Sequence, residues 1–268
     1  RILPLGADQA DLDAISGRIG EALVAVLTGE VPDDPLNGLV LGAGLDWRQV
    51  DCVRAYLEYF LQIQGTLMRV VVSSVLLQNP QAVRILVQLV EARFDPALAE
   101  AERSERVARL EQAFEAYRDR ISSLNEDRAL AGLYGLVQAT LRSSLFAPAR
   151  EPHRTVFKLD PSRVPELSGK SPPYREIFVH SARMLGIHIR GGPVARGGLR
   201  WSDRSDDLRV EILELMRTQT LKNGIIAPVG AKGGFVLRQR DLSQVQARKL
   251  ADEQYRVFVA SLLEITDN

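Results

Sequence analysis

Three basic side chains between residues 196 and 232 stand next to glycines or at the end of a predicted helix. Arg196 precedes a glycine pair, Lys222 closes a helix, and Lys232 lies in PVGAKGGF, residues 228–235, which has the composition of a glycine-rich bend. Glycine allows the backbone to approach a ligand closely and leaves N–H groups free to bind oxygen. The pattern favours a carboxylate or phosphate site; a set of solvated turns is the alternative.

Lys232 is the candidate for chemistry because its sequence neighbours are apolar. Burial disfavours the charged ammonium form, and a second cation nearby, for which Lys222 is the candidate, disfavours it further. A lysine held as the amine near neutral pH can act as a base, a nucleophile or an activator of water. The alternative is an ammonium group that reaches solvent along its own stem. The apolar neighbours are Val229, Ala231, Phe235 and Val236.

Apolar residues at helical spacing predict a helical domain over residues 1–148. Asp46 followed by Gln49 three positions later predicts a capping box at a helix start. The charge-rich segment 96–121 is the clearest amphipathic helix, and another helix is predicted over 125–146. The run TLMRVVVSSVLLQ fits either a buried helix or a strand.

Prolines and short β-prone runs replace this helical pattern near residue 148, so an α+β segment is predicted over 149–268. A helix is expected over 206–222, with Ser205 as its N-cap. A second helix is expected over 241–264. The predicted strands are TVFKL, REIFVH, MLGIHIRGG and GIIAPVG.

The composition excludes several functional classes. With 34 basic and 34 acidic residues the formal charge is zero, so neither nucleic acid nor a membrane surface is an expected partner. Cys52 is the only cysteine, which predicts a reducing, cytoplasmic location without an internal disulfide. The three histidines are too scattered for a metal site, so no metal is expected. The chain lacks an initiator Met, and we expect it to be a piece of a longer protein.

Three blocks in this order, GGLRWSDR, QTLKN and PVGAKGGF, resemble the substrate-domain signature of glutamate dehydrogenases. The longer stretches RGGPVARGGLRWSDR and KNGIIAPVGAKGGF are most similar to the large, NAD-specific bacterial type. The resemblance is detailed from about residue 125 to 268 and looser in the upstream helical part.

The resemblance implies a helical region followed by the first part of an α+β substrate domain, with the Rossmann domain absent from this chain. It implies oxidative deamination of L-glutamate to 2-oxoglutarate and ammonia, with NAD as the cofactor of the full-length enzyme. No NAD is expected on this chain, because LVLGAGLDW offers Gly42 and Gly44 but Trp47 in place of the third glycine. Expected partners are the remaining domains of the same polypeptide and further copies in a homo-oligomer.

The resemblance also assigns roles to individual residues. Lys232 stands where the family has its catalytic lysine, which polarises the substrate carbonyl and activates water. Lys222 and Gln219 stand where the family holds the α-carboxylate. Arg196 stands where small glutamate dehydrogenases use a lysine for the side-chain carboxylate, which is a departure from those enzymes. The substrate-binding residues implied in this way are Gln219, Lys222, Arg196, Gly197 and Gly198.

Two alternatives stay open. As a separate chain, the molecule would be inactive and would act as a helical assembly or regulatory module. A dehydrogenase of another amino acid is also possible, although two cationic anchors favour a dicarboxylate, because an apolar side chain would leave one cation unpaired.

Overall fold

The computed structural model describes residues 9–148, 151–167, 171–222, 229–239 and 241–266. Within these ranges it describes all side chains except those of residues 9–14 and 220–222. The helices are α1 (Gln9–Leu27), α2 (Leu39–Gly42), α3 (Trp47–Ile63), α4 (Arg69–Gln78), α5 (Pro80–Phe94), α6 (Glu100–Arg118), α7 (Leu124–Ala139), α8 (Leu208–Lys222) and α9 (Gln244–Ile265). The strands are β1 (Thr140–Ser143), β2 (Thr155–Leu159), β3 (Arg175–His180), β4 (Met184–Arg190), β5 (Ala195–Arg196), β6 (Leu199–Trp201) and β7 (Val229–Leu237). A helical N-terminal segment followed by a mixed sheet confirms the predicted fold class.

Helix α3 begins at the predicted capping box. The Gln49 N–H donates to Asp46 Oδ1 at 2.8 Å, and the Asp46 N–H donates to Gln49 Oε1 at 2.9 Å. The helix is then buried on all sides from Val50 to Phe60, which makes it the centre of the helical half. Such complete burial explains why its few polar side chains must find partners inside the protein.

The ambiguous run TLMRVVVSSVLLQ forms helix α4, which turns directly into α5 at Asn79. The backbone of this segment therefore forms helical hydrogen bonds, although valine is a residue that generally favours strands. No single described helix is long and apolar enough to span a membrane, and α4 with α5 meets that test only as a pair bent by 93°.

The helix predicted over 125–146 is too long, because α7 ends at Ala139 and β1 begins at Thr140. The Thr140 hydroxyl donates to the Leu136 carbonyl at 2.8 Å, and β1 then pairs with β2. The sheet thus starts before residue 149. The division into domains at 148 and 149 stays a proposal.

Among the described residues, seven strands form one sheet in the order β1-β2-β3-β4-β7-β5, and β6 also pairs with β7. The neighbours from β1 to β4, and β4 with β7, are antiparallel. The short strands β5 and β6 follow each other along the opposite edge of β7, and both run parallel to it. Strand β7 is therefore held on both edges.

The stretch PVGAKGGF is not a bend where it is described, because Val229–Leu237 forms the nine-residue strand β7. The glycines of this strand allow side chains of other elements to pack closely against its backbone. A Cβ built at Gly233 would lie 2.4 Å from Leu199 Cδ2, and one at Gly234 would lie 2.4 Å from Ile212 Cδ1. Residues 223–228, most of the predicted strand GIIAPVG, lie outside the described residues.

The two faces of the sheet have different covers. The α8 face, with Phe157, Phe178 and Ile187, belongs to one apolar cluster that continues into α3, α5 and α7. The α9 face, with Val179 and Phe235, packs on Phe258 of α9 in a second cluster. Because successive strand residues point to opposite faces, every side chain of β7 can be assigned to one cover.

Candidate functional site

Lys232 lies on the α8 face of β7, since it is two residues from Gly234, whose Cα faces Ile212 of α8. In register it stands opposite Ile189 of β4. The side chain is half-buried. A lysine on a strand paired along both edges is held on rigid backbone, which suits a group that must meet a substrate in fixed geometry.

Gly197 and Gly198 form the break between β5 and β6, directly beside Lys232. Strand pairing places Arg196 opposite Gly230 and Leu199 opposite Gly233, so the glycine pair faces residues 231 and 232. The Gly233 N–H donates to the Gly198 carbonyl at 3.1 Å. A Cβ built at Gly198 would lie 4.0 Å from Lys232 Nζ, so the amine points along this exposed glycine.

Helix α8 carries Gln219 towards the same face. Ile212 and Met216 contact the sheet at Gly234 and Gly191, and Gln219 follows Met216 by one turn on that side of the helix. Gln219 is half-buried. Lys222 is the last residue of α8, and its side chain lies outside the described part of the structure.

Arg196 lies on β5 next to the glycine pair and is exposed. Its backbone pairs with Gly230, two residues before Lys232. The structure therefore gathers the backbones of Arg196, Gly197, Gly198 and Lys232 at one edge of β7. It places Gln219 of α8 over the face of the sheet that carries Lys232.

The segment that follows the glycine pair is attached to α8 by Glu211. Arg200 Nη1 lies 3.2 Å from Glu211 Oε1, and the Ser202 hydroxyl donates to Glu211 Oε2 at 2.5 Å. Trp201 on β6 remains 41% exposed, so it is not a core aromatic of this chain. The Arg209 N–H in the first turn of α8 donates to Gln62 of α3 at 3.0 Å, a capping role that the sequence assigned to Ser205.

A buried ion pair fixes the start of α8 against the sheet. Arg209 donates to both carboxylate oxygens of Glu176, at 3.0 and 2.5 Å, and the Tyr59 hydroxyl donates to Glu176 Oε2 at 2.7 Å. Burial opposes the charge on Arg209, but Glu176 outweighs it and raises the pKa of Arg209. Glu176 and Lys232 are both in register with Ile189, so this pair lies in the same row of the sheet as the candidate catalytic lysine.

A second buried network connects α3 with the ends of β3 and β7. Arg69 and Arg238 both donate to Glu58, and Arg238 Nη1 also lies 3.1 Å from His180 Nε2. Because a guanidinium only donates, His180 Nε2 accepts, and its proton is on Nδ1, 3.4 Å from Asp51 Oδ2. Burial lowers the pKa of His180, which agrees with a neutral ring.

Asp51 is the acceptor at the centre of this second network. It takes hydrogen bonds from Arg54 at 2.9 Å, Thr155 at 3.1 Å and, through a ring nitrogen, His153 at 3.1 Å. Burial by itself would raise the pKa of Asp51, but its interactions with the His180 ring, the hydrogen bond from His153 and the charge of Arg54 hold that pKa well below the usual range. These contacts connect the helical half to the sheet that carries Lys232.

Neither network was predicted from the sequence. The signal in the sequence is the polar series Asp51, Arg54 and Glu58 at helical spacing on α3, a helix whose other faces are apolar. Such a series is typical of a solvated stripe. The partners of these side chains lie in distant parts of the chain, where no local pattern indicates them.

Other sequence candidates have structural roles. Gly44 has a φ of +65° after helix α2, so LVLGAGLDW lacks the strand-turn-helix order of a dinucleotide site. A Cβ at Gly44 would lie 2.5 Å from Arg84 Nη2, which fills the space beside it. Cys52 is buried in the core, and burial raises the pKa of its thiol, as for an inert residue.

Alanine substitution at Gly197 and at Gly198 should have different effects on stability. A Cβ at Gly197 would lie 1.4 Å from the Ala231 carbonyl oxygen, so we expect Gly197→Ala to lower the free energy of unfolding by about 2–3 kcal/mol. Gly198→Ala has room beside Lys232 and should leave stability unchanged within about 0.5 kcal/mol. Denaturant unfolding of both variants measures this, and equal stabilities would contradict the close approach.

Comparison with known proteins identifies the class. The family described as bacterial NAD-glutamate dehydrogenase, catalytic domain, matches residues 113–268, and glutamate dehydrogenase, helical motif 3, matches residues 31–96. The first match covers more than half of the chain. The fold and the gathered residues thus stand in a glutamate dehydrogenase catalytic region.

Three relatives agree over nearly the whole chain. This chain is 41% identical over 267 residues to the NAD-specific glutamate dehydrogenase of Pseudomonas aeruginosa, and the match covers 96% of this chain. It is 40% identical to those of Halomonas elongata and Mycobacterium tuberculosis, covering 97% and 99% of this chain. The chain belongs to the bacterial NAD-specific glutamate dehydrogenase family, which confirms the resemblance. It spans 16–17% of the length of these relatives.

Proposed function

We propose that this chain supplies the helical region and the first part of the substrate domain of an NAD-dependent glutamate dehydrogenase. The reaction is the conversion of L-glutamate, NAD and water to 2-oxoglutarate, ammonia and NADH. The observation that supports this most directly is the position of Lys232, on the α8 face of a central strand and beside the exposed Gly197–Gly198 break.

In this proposal Lys232 is the catalytic group. Its Nζ polarises the substrate carbonyl and activates water. Lys222 and Gln219 hold the α-carboxylate from α8, and Arg196 holds the side-chain carboxylate from the edge of β7. The Gly197–Gly198 backbone lets the substrate lie close to the strand. Cations at both ends of a dicarboxylate orient it against the group between them.

NAD carries the hydride when it is bound to the full-length enzyme. The residues described here do not fit a dinucleotide site, since the Gly42–Gly44 junction follows a helix and is filled by Arg84. We therefore assign NAD binding to other parts of the polypeptide and expect this chain alone to be inactive. A homo-oligomer in the cytoplasm is the setting we propose.

The Lys222→Ala variant tests the carboxylate role. We expect the KM for L-glutamate in the full-length enzyme to rise about tenfold or more, because one charge-assisted contact is lost, with a smaller change in kcat. Arg217→Ala, an exposed position on the same helix, is the control. An unchanged KM would remove Lys222 from the substrate site.

Substrate preference tests the second candidate function, a dehydrogenase of another amino acid. We expect the full-length enzyme to prefer L-glutamate over L-norvaline, which lacks the side-chain carboxylate, by about 100-fold or more in kcat/KM, because norvaline leaves a cation unpaired. NADH formation with each substrate measures the ratio. A preference for norvaline would support the other amino-acid dehydrogenase.

A further inference from the structure

Glu211 is a buried carboxylate in the first turn of α8, with 7% of its surface exposed. Its Oε1 lies 3.2 Å from Arg200 Nη1, and its Oε2 accepts a hydrogen bond from the Ser202 hydroxyl at 2.5 Å. Both oxygens therefore bind one short segment, which consists of β6 and the residue after it. Contacts to an ionised carboxylate are stronger than hydrogen bonds between neutral groups.

The contact between Glu211 and Arg200 lies on the face of the sheet that carries Lys232. Arg200 stands opposite Gly234 in the register of β6 and β7, and Lys232 is two residues before Gly234 on the same face. A Cβ built at Gly234 would lie 2.4 Å from Ile212 Cδ1, so this is the face that α8 covers. Glu211 therefore joins the edge of β7 to α8 next to the candidate catalytic lysine.

The side-chain contacts matter because β6 is a short strand at an edge. Its three residues pair with β7 on one side, and no other described strand pairs with its opposite side. Ser202 extends this pairing by one step, since its N–H donates to the Phe235 carbonyl at 2.9 Å. Short segments with few backbone hydrogen bonds open most easily, so Glu211 contributes to the fixed position of β6 and of the glycine pair before it.

Helix α8 is itself fixed to the sheet beside Glu211. Arg209, two residues earlier, donates to both carboxylate oxygens of Glu176 on β3. Gln219 lies eight residues after Glu211 on the same helix, about 12 Å along its axis. Because α8 is one continuous helix, Glu211 relates β6 to the part of α8 that carries the proposed α-carboxylate anchor.

An exposed ion pair just before α8 gives a contrast. Arg204 and Asp207 are three residues apart, and their side chains are 46% and 45% exposed. Such a pair joins neighbours in one loop and contributes little. The pair of Glu211 with Arg200 connects two separate elements of the candidate site.

We propose that Glu211 is a positioning residue that sets the separation between the two carboxylate anchors, and with it the preference for a dicarboxylate of the length of glutamate. This proposal rests on the proposed dehydrogenase function, in which Arg196 holds one carboxylate and α8 holds the other. Arg196 and the glycine pair precede β6, and the α8 anchors follow Glu211, so the bridge from β6 to α8 lies between the two. Anchors at a fixed separation discriminate by substrate length, with about 10–200-fold per methylene.

Substrate-length preference of the full-length enzyme tests the proposal. The substrates are L-glutamate, L-aspartate, which is one methylene shorter, and L-2-aminoadipate, which is one methylene longer. In Glu211→Gln we expect the preference for L-glutamate in kcat/KM to fall about fivefold or more against both, because the loosened β6 lets the anchor separation vary. The KM for L-glutamate should rise by a larger factor than kcat falls.

Two further variants separate the ion pair from other effects. Arg200→Gln removes the same pair from the other side and should give the same loss of preference, and the double variant should lose no more than either single one. Glu214→Gln makes the same substitution at an exposed position three residues later on α8, and it should keep the parent preference.

Thermal unfolding of each variant reports on the fold. If Glu211→Gln does not fold, Arg200→Gln decides the outcome, because the Arg200 side chain is 46% exposed. An unchanged length preference, a loss of kcat that is equal for all three substrates, or an equal change in Glu214→Gln would overturn the positioning role alone. A parent enzyme that does not oxidise L-glutamate would overturn the proposed function, and the positioning role with it.

Discussion

The Lys232→Ala variant of the full-length enzyme should lose about 10³-fold or more in kcat for L-glutamate oxidation. This size is expected for removal of a positioned group that transfers or holds a proton in the transition state. The fold should survive, because the side chain is half-buried and strand β7 is paired along both edges through its backbone.

Steady-state NADH formation measures this loss, and circular dichroism with thermal unfolding reports on the fold. Lys249→Ala, at an exposed position on α9, is the matched control and should retain the parent rate. A Lys232→Ala enzyme that kept a tenth or more of the parent kcat would contradict the catalytic role. Such a loss would raise the activation free energy by at most about 1.4 kcal/mol.

The second large effect is expected on stability, from the Arg209→Met variant. It leaves the Glu176 carboxylate buried without its bidentate partner, and we expect the free energy of unfolding to fall by about 3–5 kcal/mol. Adding Glu176→Leu and Tyr59→Phe should recover most of this loss, because an apolar cluster needs no charge partner.

Chemical denaturation of the 268-residue chain compares the single and triple variants. Arg204→Met is the control, since Arg204 makes an exposed ion pair with Asp207 just before the same helix, and little change is expected there. A triple variant that is less stable than Arg209→Met would mean that the pair contributes more than the avoidance of an unpaired charge.

Features that depend on neighbouring residues were predictable from the sequence. The Asp46–Gln49 capping box, the strands TVFKL and REIFVH, the strand within MLGIHIRGG that ends at Arg190, and the final helix all follow from residue patterns within a few positions. The chemistry of the site was likewise visible as residue types and spacing. Family membership, which the comparisons confirm, rests on the same stretches.

Features that depend on distant partners were not predictable. Strand β7 looks like a bend because glycine is usually a turn residue, whereas its glycines admit Ile212 and Leu199 from other elements. Helix α8 takes a cap from Gln62, far earlier in the chain, instead of the adjacent Ser205. Tertiary packing overrides local propensity at positions where a distant residue provides a more favourable contact than a neighbouring one.

The structure does not test the roles of the candidate site residues, which stay predictions. These residues are Lys232, Lys222, Gln219 and Arg196. The sequence could indicate a dicarboxylate site, but the distance between its two anchors depends on how β5 and α8 pack on β7. Neither packing has a local signature in the chain.

Helix α3 has a consequence for the construction of chimaeras. It contributes Asp51, Glu58 and Tyr59 to contacts with the sheet and α8, so a crossover near residue 148 would combine these side chains with foreign counterparts. Exchanging the first half of the chain between distant relatives should therefore succeed only when Thr155, Glu176 and Arg238 are transplanted with it. The two halves have to be inherited as one unit.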